Sequence, residues 1–182
     1  MIKIIKLVLF FMVLLICTSI ADEDSSKAIW KKDVAKESLF SGPVKGSLNG
    51  NKIELDHAVY EDSKLTLYKK EGRHIRFSVN INLFGSDVWQ EDQVIANKTF
   101  VVRLTDKKTV ASSGFFFTNK DHTANGHSYF KGFSMKLVFG KDTNGKIPGK
   151  IYITFPDKKK SFIAGSFIVQ REYITYSIKD KK

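Results

Sequence analysis

Four histidines and a scatter of turn carboxylates are the residues best placed by type to do chemistry. His122 and His127 share a polar stretch, Asn119 to His127, with Asp121 beside them. Two imidazoles and a carboxylate could hold zinc or copper, and an open fourth position would admit a hydrolytic water. Nothing in the spacing orders Asp121, His122 and His127 toward one point. Asp142, Asn144 and Asp157 suggest calcium, but Lys141, Lys146 and Lys158 surround them with positive charge. Calcium needs concentrated oxygen ligands, so the turn-forming role of Asp and Asn is the plainer expectation. Asp87, Glu91 and Asp92 flank Trp89, an acidic and aromatic segment where a sugar or peptide could sit. The serines lie outside any Gly-x-Ser-x-Gly elbow, and Gly165-Ser166-Phe167 reads as strand. No glycine-rich phosphate loop occurs. No catalytic residue and no cofactor are assigned, and the reading leans away from an enzyme.

Aromatic and basic residues carry more information. Phe115-Phe116-Phe117 is apolar without alternation, so this strand is covered on both faces or turns one face to a cavity or partner. With Tyr129 and Phe133 nearby, Phe115 and Phe117 are candidates to line a site for an apolar ligand, and Trp89 is a candidate contact from its own loop. Lys158-Lys159-Lys160 follows Pro156-Asp157 in a predicted hairpin turn, and Lys181 and Lys182 close the chain. Such lysines can meet an anionic surface, or can simply keep a sheet edge solvated.

These residues have to be positioned by a chain of 182 residues with a net charge of +11. Its start reads as a signal peptide over residues 1–21. Lys3 and Lys6 precede an apolar run from Leu7 to Cys17, and Ser19 and Ala21 supply the small residues of a cleavage site. Loss of those 21 residues leaves 161, and the loss of Lys3 and Lys6 lowers the charge to +9. Cys17, the one cysteine, leaves as well, which removes disulfides and thiolate chemistry from the mature chain. The expected location is exported, periplasmic or secreted if the source is bacterial. No later segment approaches the roughly 20 apolar residues of a helical span. Only four of the 30 basic residues are arginines, and export with so little Arg argues against nucleic acid as a partner.

Period-two alternation dominates the rest. Ile53 and Leu55, then Leu65 and Leu67, then Ile75-Phe77-Val79-Ile81-Leu83 each put apolar side chains on one face. In the last segment Arg76, Ser78, Asn80 and Asn82 oppose them, the pattern of a half-buried antiparallel strand. Further strands are expected at Thr99–Leu104, Thr109–Thr118, Tyr129–Phe139, Lys150–Phe155 and Ser161–Arg171, with an edge strand at Ile174–Ile178. The prediction is an all-β domain over residues 41–178, a single antiparallel sandwich or barrel of about 8–10 strands. Residues 22–40 form a polar lead-in, either a short helix over Lys27–Phe40 or a lysine-rich segment lying across the domain. Residues 179–182 are a lysine-rich tail. Asn97-Lys98-Thr99 matches the glycosylation sequon.

The run Gly145-Lys146-Ile147-Pro148-Gly149-Lys150-Ile151-Tyr152-Ile153-Thr154-Phe155-Pro156-Asp157 and the following Lys160-Ser161-Phe162-Ile163-Ala164-Gly165-Ser166-Phe167 resemble a group of exported, uncharacterised bacterial β-rich proteins. Gly46-Ser47-Leu48-Asn49-Gly50 and Gly132-Phe133-Ser134-Met135-Lys136-Leu137 are similar to the same group. The resemblance implies export and a single β-rich domain, and it brings no activity with it. Members with a histidine-containing middle strand differ from this chain, where Gly114-Phe115-Phe116-Phe117 occupies that region.

The function expected from sequence is therefore a non-enzymatic exported β domain that binds a protein, a glycan or an anionic envelope surface. A small barrel carrying an apolar ligand is the first alternative, and a metal- or carboxylate-dependent hydrolase the second.

Overall fold

A computed structural model describes residues 23–84, 94–106, 111–119 and 123–170. The expected signal peptide over residues 1–21, Trp89 with its acidic neighbours, Asp121, His122, the expected strand at Ile174–Ile178 and the lysine tail lie outside the described residues. Within them the chain forms eleven strands: β1 (Val44–Leu48), β2 (Asn51–Leu55), β3 (His57–Glu61), β4 (Lys64–Glu71), β5 (His74–Asn82), β6 (Thr99–Val102), β7 (Ser112–Thr118), β8 (Ala124–Tyr129), β9 (Ser134–Phe139), β10 (Lys146–Thr154) and β11 (Phe162–Gln170). They make two antiparallel sheets, a six-stranded one in the order β2-β1-β11-β10-β9-β6 and a five-stranded one in the order β3-β4-β5-β7-β8. The sheets pack face to face as a sandwich and do not close into a barrel.

The alternation explains the register. Leu65, Leu67, Val79 and Ile81 from the five-stranded sheet are fully buried against Met135, Leu137, Ile151, Ile153 and Ile163 from the six-stranded one. Each such side chain contributes about 1.5–3 kcal/mol by leaving water, and the polar partners in each strand are left on the outside. Segments without that alternation were not visible as strands. Ala124-Asn125-Gly126-His127-Ser128-Tyr129 is a sheet-edge strand, exposed along most of its length, so nothing required apolar residues there. The expected single strand Tyr129–Phe139 is two strands, β8 and β9, separated by a turn at 130–133.

The six-stranded sheet is buried at the centre of its outer face too. Tyr152, Ala164 and Ser134 point outward, yet each is fully buried, because the lead-in lies over them. The expected helix there does not form. Ile29, Val34 and Leu39 recur every five residues, which spreads them around a helix and not along one face. Among the described residues the lead-in forms only one 3-10 turn, Ser25–Lys27, capped by the Asp24 carboxylate accepting from the Ser26 amide.

The lead-in is tied down as an extended arm. Val34 and Phe40 pack on Tyr152 and Ala164 as a second small core, with the Phe40 and Tyr152 rings edge to face at 5.3 Å. Tyr152 donates its hydroxyl proton to the Ile29 carbonyl. The Ser134 hydroxyl accepts from the Val34 amide at 2.9 Å and lies 2.7 Å from the Asp33 carboxylate. The Ala35 amide, then Ser134 and the charge of Arg103, hold the Asp33 carboxyl below its ordinary pKa. The arm enters β1 across Gly165, whose φ of +144° is closed to most side chains. A Cβ there would meet the Pro43 carbonyl oxygen at 2.5 Å.

Two tests follow from this packing. Gly165→Ala combines a forbidden φ with a backbone clash and is expected to cost roughly 3 kcal/mol, read as a fall in urea midpoint; an unchanged midpoint would refute the close approach. Burial, with the Glu37 charge second, pushes the Tyr152 phenol up to about 12 from its ordinary 10.0. The folded state therefore favours the protonated phenol. Its contribution is intact below pH 10 and is lost as the pH rises through 12, on the order of 2 kcal/mol. A 295 nm titration of the native protein should show a tyrosine ionising near pH 12 whose contribution Tyr152→Phe removes.

Candidate functional site

The arm carries one residue that the sequence reading passed over. Trp30 is brought to the end of the sandwich where its indole Nε1 donates to the Phe155 carbonyl at 3.1 Å. At that end the turn between β10 and β11 holds Lys158, Lys159 and Lys160, all exposed. Asp157 shapes the turn: its carboxylate accepts from the Ser161 amide at 2.8 Å, the Lys159 amide at 3.1 Å and the Ser161 hydroxyl at 3.0 Å. With its oxygens committed to the turn, Asp157 is poorly placed to pair with a lysine side chain. Lys160 instead sets its Nζ 5.5 Å from the centre of the Trp30 ring, a cation over an aromatic face.

Two further turns converge here. A Cβ on Gly132 would lie 3.8 Å from Pro156, and one on Gly50 would lie 3.8 Å from Lys159. The β8–β9 turn therefore sits beside one side of the β10–β11 turn, and the β1–β2 turn beside its lysines. Phe130 at the β8–β9 tip is 76% exposed, the most exposed large apolar side chain among the described residues, and Lys131 follows it, also exposed. Trp30, Lys32, Leu104, Gly132, Phe155 and Pro156 help to enclose a rim pocket of about 220 Å³. No ion pair among the described residues involves Lys32, Lys131, Lys158, Lys159 or Lys160. The end is a cationic rim with one ring projecting from it and another set in its wall.

The aromatic candidates have different fates. Phe115 and Phe133 are fully buried. Phe115 packs edge to face on Phe155 at 5.2 Å and lies 6.3 Å from Tyr129, so these rings fill the interior. Phe117 is half-buried and packs against the same core. Tyr129 is half-buried, and burial, with Asp157 second, raises its pKa. The middle phenylalanine, Phe116, points the other way and is 39% exposed on the outer face of the five-stranded sheet. Three consecutive rings thus divide between core and surface.

His127 is exposed on the edge strand, 5.2 Å from the Phe115 ring and stacked at 24° over Tyr129. Among the described residues, no cluster of three or more His, Cys, Asp or Glu side chains could hold a metal. Asp142 accepts from the Gly145 amide at 2.9 Å, a turn contact. An apolar groove of about 630 Å³ lies on the outer face of the six-stranded sheet, where Pro43, Val138, Pro148 and Ile168 meet beyond the end of the arm. No helix among the described residues is long and apolar enough to cross a membrane.

Comparison with protein-family models, curated proteins and solved structures finds no match to this chain.

The two neighbouring rings of the β8–β9 turn offer a direct check on these assignments. Phe130→Ala should leave the unfolding midpoint within error, because the ring touches mostly water. Phe133→Ala should cost about 3–5 kcal/mol, since it opens a void in a packed interior. Equal effects in a urea melt would show that Phe130 is a structural residue.

Proposed function

We propose that this protein is exported and acts without catalysis, docking by the lysine-bearing end of its sandwich onto an anionic envelope surface. The observation that carries this reading is the pairing of Phe130, 76% exposed at a turn tip, with five exposed lysines from three segments: Lys32, Lys131, Lys158, Lys159 and Lys160. A solvated turn would need no projecting phenylalanine, and an apolar patch alone would need no ring of cations. A lipid surface uses both. Each lysine near an anionic membrane contributes about 1 kcal/mol, and Phe130 entering the interface adds up to about 2 kcal/mol. Trp30 has an apolar body on the rim and a polar N–H already satisfied, which suits the boundary between headgroups and acyl chains.

Vesicle co-sedimentation tests this. The mature chain should bind phosphatidylglycerol vesicles at low salt, release as NaCl rises to 0.5 M, and ignore phosphatidylcholine vesicles. Replacing Lys158, Lys159 and Lys160 together by Gln should weaken binding about 100-fold, three lysines at roughly 1 kcal/mol each. Equal binding to both lipids, or an unaffected triple variant, would refute the proposal.

A further inference from the structure

The rim pocket at the lysine end has walls that the packing of the sandwich does not explain. Trp30, Leu104 and Gly132 are half-buried, and Lys32 and Pro156 are exposed. Among the described residues, neither hydrophobic core includes Trp30 or Leu104. Two large apolar side chains thus stand partly in water around a hollow of about 220 Å³. Sites that enclose a whole small molecule run from about 300 to 1,000 Å³, so this one has room for part of a ligand.

The walls decide which part. An indole, a leucine and a proline ring offer apolar contact, and the polar groups beside them are spent. The Trp30 Nε1 donates to the Phe155 carbonyl at 3.1 Å, and the Phe155 amide donates to the Ser161 carbonyl at 2.9 Å. Thr154, the one hydroxyl residue of the lining, is buried. A sugar or a peptide entering here would leave its own hydroxyls or amides unmatched, which is costly. A hydrocarbon has no such groups to lose.

The charge beside the hollow is positive. Lys32 is part of the wall, and Lys160 sets its Nζ 5.5 Å from the centre of the Trp30 ring. Three carboxylates stand within two residues of the walls, and each accepts from a backbone amide: Asp33 from Ala35 at 3.0 Å, Asp106 from Arg103 at 2.8 Å and Asp157 from Ser161 at 2.8 Å. Against these three stand Arg103 and the five exposed lysines of this end. An occupant that is apolar inside the hollow and anionic just outside it satisfies both features.

We propose that the rim pocket receives the end of one acyl chain of an anionic phospholipid, whose phosphate is held by Lys32 and Lys160. The site belongs to the vesicle-docking reading and rests on it, because the segments that carry the lysines also wall the hollow. Trp30 and Lys32 come from the arm, Gly132 from the β8–β9 turn and Pro156 from the β10–β11 turn. Docking by charge alone would read only the headgroup. A chain in the pocket makes the protein sensitive to chain length as well, each buried methylene strengthening binding about fourfold.

Isothermal titration of residues 22–182 with soluble short-chain lipids, kept below their micelle concentrations at low salt, tests it. Dihexanoylphosphatidylglycerol should bind, and the dibutanoyl lipid should bind roughly 15-fold more weakly, the loss of two methylenes from one chain. Dihexanoylphosphatidylcholine should bind more weakly still than its anionic counterpart, and Lys32→Gln should cost about fivefold. Leu104→Trp, which fills the hollow, should weaken the dihexanoyl lipid tenfold or more while its vesicle co-sedimentation matches the parent. A urea melt checks that this variant folds, and the chain-length comparison decides the matter on the parent alone. No binding of the dihexanoyl lipid, equal binding of the two chain lengths, or full binding by folded Leu104→Trp would overturn the pocket and leave vesicle docking standing. A parent that ignores phosphatidylglycerol vesicles would overturn both.

Discussion

Everything at the lysine end depends on the docking of the arm across the six-stranded sheet. That sheet is buried on both faces at its centre, and the sandwich can cover only one. Tyr152, Ala164 and Ser134 would otherwise stand in water, together with a buried phenol that has one acceptor, the Ile29 carbonyl. The arm answers both needs at once: Val34 and Phe40 exclude water, while the chain's own amides and carbonyls satisfy Ser134 and Tyr152. Because the Ile29 carbonyl is fixed on Tyr152, the next residue, Trp30, is fixed on Phe155. A structural clamp thereby places an aromatic ring beside three lysines.

The same geometry brings together residues that composition alone leaves scattered. Five exposed lysines stand at one end, on the arm and on the two turns that flank Phe130 and Pro156. Charge attracts over a Debye length and is weakened by salt, whereas apolar contacts act only at touch.

Much of the scaffold was legible in the sequence, and the reasons are local. Ile75-Phe77-Val79-Ile81-Leu83 could only be a half-buried strand, and it is the middle strand of its sheet. Asp157 and Asp142 were readable as turn formers because their side chains bond backbone amides within four residues. Long-range choices were hidden. Phe115, Phe116 and Phe117 look equivalent in the chain, and only pairing with Gly126 shows that the middle one lies on the surface. Trp30 and Phe130 stand 100 residues apart with no shared pattern, so their convergence comes from the arm's path and the register of β9 and β10. Trp89, Asp121 and His122 fall outside the described residues, and the alternatives built on them are carried no further.

The central claim is that the arm and two turns form one docking surface, and hydrogen–deuterium exchange of residues 22–182 with and without phosphatidylglycerol vesicles addresses it most directly. The account predicts slowed exchange together at residues 29–32, 130–132 and 156–161, with the outer face of β5 and β7 unchanged. Protection spread along that sheet face, or confined to one turn while the other two exchange as before, would contradict it.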